Sequence, residues 1–135
     1  SRESAVRVKL NVLKEAVDGK RIIMIDDSIV RGTTSALIVN MLREAGAKEV
    51  HVRISAPPFL HPCYFGTDIP SEDQLIAHHR TVEEIRQLLG ADSLAYLEER
   101  RLWEMAEGRP ICTACFSGNY PIAPPTEDIR GEYVR

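Results

Sequence analysis

The stretch from Arg21 to Ser35 (RIIMIDDSIVRGTTS) constrains the fold of this chain more than any other. It opens with a continuous apolar run at residues 22–25, which predicts a short strand covered on both faces. Two aspartates follow where such a strand would leave the sheet. Residues 33–35 carry hydroxyl groups suited to capping a helix, whose predicted apolar face continues to Ala45 before Gly46 ends it. The stretch therefore predicts a strand, an acidic pair, a loop and a helix.

The loop before this helix has the residues of a phosphate-binding site. A loop that leads into a helix N-terminus presents unpaired backbone N–H groups and the positive end of the helix dipole. Gly32 lets the backbone approach an anion, Arg31 adds a positive charge, and residues 33–35 add hydroxyl donors. Asp26 and Asp27 are able to accept hydrogen bonds from sugar hydroxyls or to hold Mg²⁺. The combination predicts a site for a phosphorylated ribose, although each residue alone is common in turns and helix caps.

Other sites built on a strand, a loop and a helix fit the sequence less well. A receiver domain also begins with an apolar strand and an acidic pair, but it needs a further aspartate after a later strand. The next predicted strand, residues 47–56, runs into Pro57 and Pro58 with no acid there. The glycine patterns of a P-loop and of a dinucleotide-binding fold are both absent. A sugar-phosphate site is therefore the best interpretation of residues 21–35.

Further elements are predicted along the rest of the chain. Within residues 47–56, apolar residues at 50, 52 and 54 alternate with polar ones, which predicts a strand with one buried face. Capping-box patterns predict two short helices that begin at Ser71 and Thr81. Residues 93–97 form a possible short strand, and residues 98–107 have a helical pattern.

The motif MIDDSIVRGTTS resembles the phosphoribosyl-pyrophosphate (PRPP) signature of type I phosphoribosyltransferases, and DDSIVRGTTS resembles the form found in amidophosphoribosyltransferases. This resemblance implies an α/β fold that is part of the type I phosphoribosyltransferase fold, with a parallel sheet flanked by helices and a mostly helical and loop C-terminal segment. It divides the chain into residues 1–56, the second part of the PRPP-binding core, and residues 57–135, a C-terminal segment with cysteine ligands.

The resemblance also implies which residues act on PRPP. Asp26 and Asp27 would hold the ribose hydroxyls and the Mg²⁺-bound pyrophosphate. The segment SAVRVKLNVL resembles the end of a mobile loop that would bring Arg7 and Lys9 to the pyrophosphate, so these two residues join the aspartates as predicted catalytic groups. The residues predicted to bind the 5′-phosphate are Ser28, Arg31, Gly32, Thr33, Thr34 and Ser35.

The cysteines form a second group, Cys63, Cys112 and Cys115. An odd number argues against a disulfide framework, and the C-x-x-C pair suits either a redox pair or a metal. Three thiolates leave a tetrahedral site one ligand short, which His61 or a cysteine elsewhere could complete. HPC and CTACF-x-G-x-YP resemble the iron–sulfur subclass of amidophosphoribosyltransferases. That resemblance implies a [4Fe–4S] cluster held by these cysteines and a fourth outside this chain.

The reaction implied by the resemblance is the first step of de novo purine nucleotide biosynthesis. PRPP, glutamine and water give 5-phosphoribosylamine, glutamate and pyrophosphate, as ammonia displaces Mg²⁺-pyrophosphate at the anomeric carbon. The alternatives are another type I phosphoribosyltransferase, a PRPP-sensing regulator of the same fold, and a zinc-bound structural module. Because these residues contain no glutamine-hydrolysing domain, we expect the chain to be part of a longer enzyme and to be inactive alone. We also expect the full-length enzyme to be a homo-oligomer.

Composition argues against several other classes of protein. The 135 residues carry a net charge of −3, and the pI is near 5.8, whereas a nucleic-acid-binding surface is expected to be strongly basic. The sequence has no apolar run of membrane-spanning length and no signal-peptide pattern. We therefore expect a cytoplasmic protein with one core and with neither nucleic acid nor membrane as a partner.

Overall fold

The computed structural model describes residues 12–67, 69 and 71–124, so Arg7 and Lys9 lie outside the described residues. The helices and strands are, in chain order, α1 (Lys14–Val17), β1 (Arg21–Asp26), α2 (Thr33–Glu44), β2 (Glu49–Ile54), a 3₁₀ helix (Glu72–Gln74), α3 (Ile76–His79), α4 (Val82–Leu89), β3 (Ser93–Tyr96), α5 (Glu99–Ala106) and α6 (Ala114–Ser117). In this part of the chain no helix is both long enough and apolar enough to cross a membrane.

The strands form a parallel sheet in the order β1-β2-β3. Ile23 pairs with His51, and His51 pairs with Ser93 on its other side. α2 connects the first two strands, while the 3₁₀ helix, α3 and α4 lie in the connection to the third. This arrangement confirms the predicted α/β fold. Because β3 comes from residues 57–135, both predicted segments of the chain contribute to the same sheet.

The main core lies between one face of the sheet and the helices α2 and α4. Val50 and Val52 of β2 are fully buried and Ile54 is 3% exposed, since alternate residues of a strand point to the same face. Val39 of α2 and Ile85 of α4 belong to the same apolar cluster. The alternation predicted for this strand is therefore confirmed.

The opposite face of the sheet is open within the described residues. The side chains of Ile23 and Ile25 in β1 are 67% and 75% exposed. The described residues therefore cover β1 on one face only, and they do not confirm the prediction of a strand covered on both faces. The reason is topological, because right-handed crossovers between strands in sequential order place all the connecting helices on the same side of the sheet.

Local capping signals are only partly reliable. The box predicted at Thr81 is confirmed, because its side chain accepts from the Glu84 N–H and its own N–H donates to the Glu84 carboxylate at 2.7 Å. The box predicted at Ser71 is wrong: its hydroxyl bonds to the side chain of Asp73, and only a 3₁₀ turn follows. Gly46, with a φ of 99°, provides the left-handed end predicted for α2.

Candidate functional site

The loop between β1 and α2 surrounds a pocket of about 400 Å³. The lining is the continuous run of residues 26–35, which includes both aspartates and all the residues predicted to bind the 5′-phosphate. The pocket lies at the carboxyl end of β1, and open α/β sheets bind their ligands at this edge. Ile29 and Val30 also belong to the lining, although the sequence patterns did not single them out.

Hydrogen bonds within the loop hold the acidic pair. The Asp27 backbone N–H donates to Oδ1 of Asp26 at 2.9 Å, and the Ser28 hydroxyl donates to Oδ1 of Asp27 at 3.2 Å. Burial raises the pKa of Asp26, the bond from the Asp27 N–H lowers it in part, and the negative charge of Asp27 raises it further. A carboxyl group whose charge is disfavoured by a neighbouring carboxylate is suited to receive a cation or hydroxyl donors.

The backbone of the loop presents a row of N–H donors. Within the described residues, the N–H groups from Ser28 to Ser35 have no hydrogen-bond acceptor. α2 begins after Gly32, whose carbonyl accepts the first helical bond, and no side chain caps the helix. The prediction that residues 33–35 cap the helix is therefore wrong. The first turn offers its N–H groups and the positive end of its dipole to an anion.

Both the backbone conformation at position 32 and the packing around it favour a glycine there. Its φ of 79° lies in the left-handed region that favours glycine. A Cβ at this position would lie 2.9 Å from Cδ1 of Ile76 and 3.7 Å from Cδ2 of Leu89. The missing side chain would therefore point to the packed side of the loop, and not toward an approaching anion as the sequence suggested.

Two residues distant in the sequence contact the loop from this packed side. The guanidinium of Arg31 donates a hydrogen bond to Oε1 of Gln74. The backbone N–H of Ile76 donates to the carbonyl of Val30 at 2.9 Å. Gln74 was singled out only as part of the capping-box pattern at Ser71, and Ile76 belongs to no motif, so no local signal placed either residue at the site.

The cysteines lie in two segments that contact each other. The backbone N–H groups of Leu60 and His61 donate to the carbonyl of Cys115 at 2.9 and 3.0 Å. Cys63 and Cys115 pack against the same small apolar cluster, built around Phe59, Ile69 and Leu75. The three cysteines are free thiols. The fold therefore brings the HPC and CTAC segments together.

The environments of these thiols differ. Burial raises the pKa of Cys115 to about 11, and the nearby Cys63 and Cys112 add to this increase. Burial also raises the pKa of Cys63, but hydrogen bonds from the backbone of Phe65, Thr67 and Gly66 outweigh it and lower the pKa. The Thr67 N–H lies 3.4 Å from the Cys63 sulfur. The thiols are thus close enough to influence one another electrostatically.

A site for a single metal ion is not formed by the side chains that the structure describes. No three His, Cys, Asp or Glu residues among them are placed to hold one. Nδ1 of His61 lies 3.5 Å from Oε1 of Glu72, and the His61 ring lies against Gly118. This geometry does not favour a Cys₃His zinc site. A [4Fe–4S] cluster places a different demand on the cysteines, since each thiolate binds a different iron.

Known proteins include relatives that are similar to this chain over most of its length. No protein-family model matches the chain. The amidophosphoribosyltransferase of Synechococcus elongatus is 56% identical over 98% of the chain, and that of Archaeoglobus fulgidus is 51% identical over 94%. The chain is homologous to amidophosphoribosyltransferases. It spans 27% of the length of the first of these relatives and 29% of the second.

Two solved structures of longer proteins contain a part with the same fold as this chain. A structure described as the allosteric regulatory enzyme of purine biosynthesis matches 93% of the chain with a TM-score of 0.81 and 50% identity. The glutamine PRPP amidotransferase of B. subtilis, complexed with ADP and GMP, matches 91% with a TM-score of 0.77 and 47% identity. The chain covers 28% and 30% of these two proteins. These matches confirm the predicted phosphoribosyltransferase fold.

Proposed function

We propose that this chain is part of an amidophosphoribosyltransferase, in which it binds PRPP and supplies acidic groups for phosphoribosyl transfer. In the proposed reaction PRPP, glutamine and water give 5-phosphoribosylamine, glutamate and pyrophosphate, the first step of purine nucleotide synthesis. The observation that carries the proposal is the pocket at residues 26–35, where two carboxylates adjoin a row of N–H groups without acceptors among the described residues. The homologous enzymes and their solved structures support it.

The 5′-phosphate of PRPP would bind at the β1–α2 loop. The N–H groups from Ser28 to Ser35 would donate to the phosphate oxygens, and the dipole of α2 would favour their charge. Thr33 and Thr34 are exposed and add hydroxyl donors, while Arg31 adds a positive charge to the lining of the pocket. A phosphate held in this way fixes the ribose, so that its anomeric carbon is presented in one orientation.

Asp26 and Asp27 would accept hydrogen bonds from the ribose hydroxyls. Positive charge develops on the ribose as pyrophosphate leaves, and fixed carboxylates nearby stabilise that charge more than they stabilise the ground state. Burial and the charge of Asp27 raise the pKa of Asp26, so the unliganded site disfavours the charged form of Asp26. Arg7 and Lys9, which lie outside the described residues, are proposed to neutralise the leaving pyrophosphate.

Two cofactors belong to the proposal. Mg²⁺ fits the acidic pair, because it binds through one or two carboxylates together with water and substrate phosphates, and it would neutralise the pyrophosphate charge. A [4Fe–4S] cluster fits the grouped thiols of Cys63, Cys112 and Cys115 with a fourth cysteine outside the chain. We propose a structural role for the cluster, since the transfer reaction involves no change of oxidation state.

The remaining partners are proposed on the length of the relatives. Because the chain spans 27% of the Synechococcus enzyme, we assign glutamine hydrolysis to a domain outside these residues. We further propose a homo-oligomeric enzyme of the cytoplasm, where free cysteines such as those described here stay reduced.

Steady-state kinetics of the complete enzyme test the proposal. Asp26→Asn and Asp27→Asn keep the size of the side chain and remove its charge. We expect each to raise KM for PRPP or to lower kcat, by roughly tenfold or more, because a charge aimed at the transition state is lost. Asp18→Asn, at an exposed aspartate outside the pocket, is the matched control. Near-wild-type kinetics with PRPP in both test variants would contradict the assignment.

A further inference from the structure

We propose that residues 74–76 form an outer support for the β1–α2 loop, and that Gln74 is a positioning residue that acts through Arg31. The inference rests on the proposed function and adds to it a residue that the loop motif does not contain. Its role would be to keep the loop backbone in the conformation that presents N–H donors to the pocket.

Contacts of different kinds join the support to the loop. The Gln74 side chain accepts a hydrogen bond from the Arg31 guanidinium. The Ile76 backbone N–H donates to the Val30 carbonyl at 2.9 Å. The Ile76 side chain occupies the space that a Cβ of Gly32 would need. Because these contacts fall on consecutive loop residues, they fix the path of the backbone from Val30 to Gly32.

The support is itself anchored in the protein. Leu75, between the two contacting residues, is fully buried. It packs in an apolar cluster that also includes Val30 of the loop. Gln74 is the last residue of the 3₁₀ helix, so its backbone is constrained on both sides. Its side chain therefore meets Arg31 from a fixed position, which lowers the entropy lost when the loop is ordered for a ligand.

The Arg31 side chain borders two cavities, and a hydrogen-bond partner fixes its orientation between them. Arg31 lines the pocket at residues 26–35 and also a second cavity of about 570 Å³, which is lined in addition by Gln74 and Ile76. Gln74 lines only the second of these. The hydrogen bond therefore holds the Arg31 side chain beside the loop, where it lines the first pocket.

The partner is neutral, and this matters for an anion site. Among the described residues, Arg31 has no ion pair with a carboxylate. A carboxamide orients the guanidinium without cancelling its charge, and a guanidinium has further N–H donors beyond the one that Gln74 accepts from. Arg31 therefore keeps its positive charge beside the loop while its position is fixed.

PRPP binding to the complete enzyme, measured by calorimetry together with KM and kcat, tests the inference. Gln74→Met keeps the size and removes the acceptor, whereas Gln74→Glu retains an acceptor oxygen. We expect Gln74→Met to raise the Kd and KM for PRPP by about three- to tenfold, the effect of one lost hydrogen bond to a charged group, with kcat within about twofold. Gln74→Glu should bind PRPP more tightly than Gln74→Met, because it keeps the acceptor, and more weakly than wild type, because its negative charge offsets that of Arg31. Gln87→Met, at an exposed glutamine of α4 that bonds to Glu83, is the matched control.

A double-variant cycle shows whether Gln74 acts through Arg31. If it does, adding Gln74→Met to Arg31→Met should weaken PRPP binding no further than Arg31→Met alone. Additive losses would overturn this route, and so would a Gln74→Glu variant as weak as Gln74→Met. Unchanged binding in Gln74→Met, with a wild type that binds PRPP, overturns the inference alone. A wild-type enzyme that fails to bind PRPP overturns the proposed function as well.

Discussion

Gly32 faces the side chain of Ile76 so closely that a Cβ atom on Gly32 would lie 2.9 Å from Cδ1 of Ile76. Gly32 has a φ of 79°, and Gly108 has the same φ with nothing within 4 Å of its added Cβ. Both positions therefore impose the backbone strain of a left-handed conformation on any other residue. Only at Gly32 would an added Cβ also make a close contact. Comparing substitutions at Gly32 and Gly108 therefore separates the steric contact from the backbone strain.

We expect Gly32→Ala to destabilise the complete enzyme more than Gly108→Ala does. Each substitution should cost about 1–2 kcal/mol from backbone strain, and Gly32→Ala should cost roughly 1 kcal/mol more from the contact with Ile76. Ile76→Val removes the Cδ1 atom and should recover that additional loss in the double variant. Thermal unfolding midpoints of the variants provide the measurement. Equal midpoints for the two alanine variants would show that the contact has no energetic weight.

Ionisation of the Asp26 carboxyl group should lower the stability of the unliganded enzyme, whereas ionisation of most aspartates stabilises a folded protein. Its pKa is raised above the ordinary value of 3.8, first by burial and then by the charge of Asp27. The native state therefore binds this proton more tightly than the unfolded state, and stability falls as pH rises from 3.8 through the raised pKa. Asp26→Asn should raise the unfolding midpoint at neutral pH, and the gain should disappear below the ordinary pKa.

Asp92 is the control for that experiment. The Val50 N–H and then the Arg43 guanidinium hold the pKa of Asp92 below its ordinary value. Its contribution to stability is present at neutral pH and is lost as pH falls through the lowered pKa. Asp92→Asn should therefore lower the midpoint at neutral pH, where Asp26→Asn raises it. A lower midpoint for both variants would refute the account of Asp26.

The cysteines should differ in their rates of alkylation. Cys112 is exposed, while Cys115 is half-buried with a pKa of about 11, raised mainly by burial. The thiolate is the reactive form, so a raised pKa and reduced access both slow the reaction. In enzyme freed of metal, iodoacetamide at mild alkaline pH should modify Cys112 faster than Cys115, as followed by peptide mass spectrometry. Modification of Cys115 as fast as Cys112 would disagree with the structure.

Removal of metal from the complete enzyme should weaken PRPP binding as well as stability. Cys63 and Cys115 pack against the apolar cluster that also includes Val30 of the β1–α2 loop. Loss of the proposed [4Fe–4S] cluster would therefore loosen the packing beneath the loop. Calorimetric titration with PRPP before chelation, after it, and after anaerobic reconstitution measures the effect. Identical PRPP affinity in all three states would mean that the two sites are independent.

Local sequence was sufficient for the elements that carry the site. The apolar run before Asp26 and the helical period after Gly32 predict β1, the loop and α2, because each depends on neighbouring residues only. The capping box at Thr81 is predictable for the same reason. These are short-range effects of backbone hydrogen bonding and side-chain periodicity.

Longer-range relationships were not predictable. The exposure of Ile23 and Ile25 depends on the order of the strands, which the apolar run alone does not contain. The contacts of Gln74 and Ile76 with the β1–α2 loop arise only when the connection between β2 and β3 folds back over it. The sequence suggested that a glycine at position 32 leaves room for an anion. The structure shows that it leaves room for the side chain of Ile76.

The most direct measurement is a crystal structure of the complete enzyme with ribose 5-phosphate bound. The account predicts the phosphate within hydrogen-bond distance of the backbone N–H groups of residues 33–35, and the ribose hydroxyls beside Asp26 and Asp27. A sugar phosphate bound elsewhere, with the β1–α2 loop empty and its N–H groups unused, would contradict it.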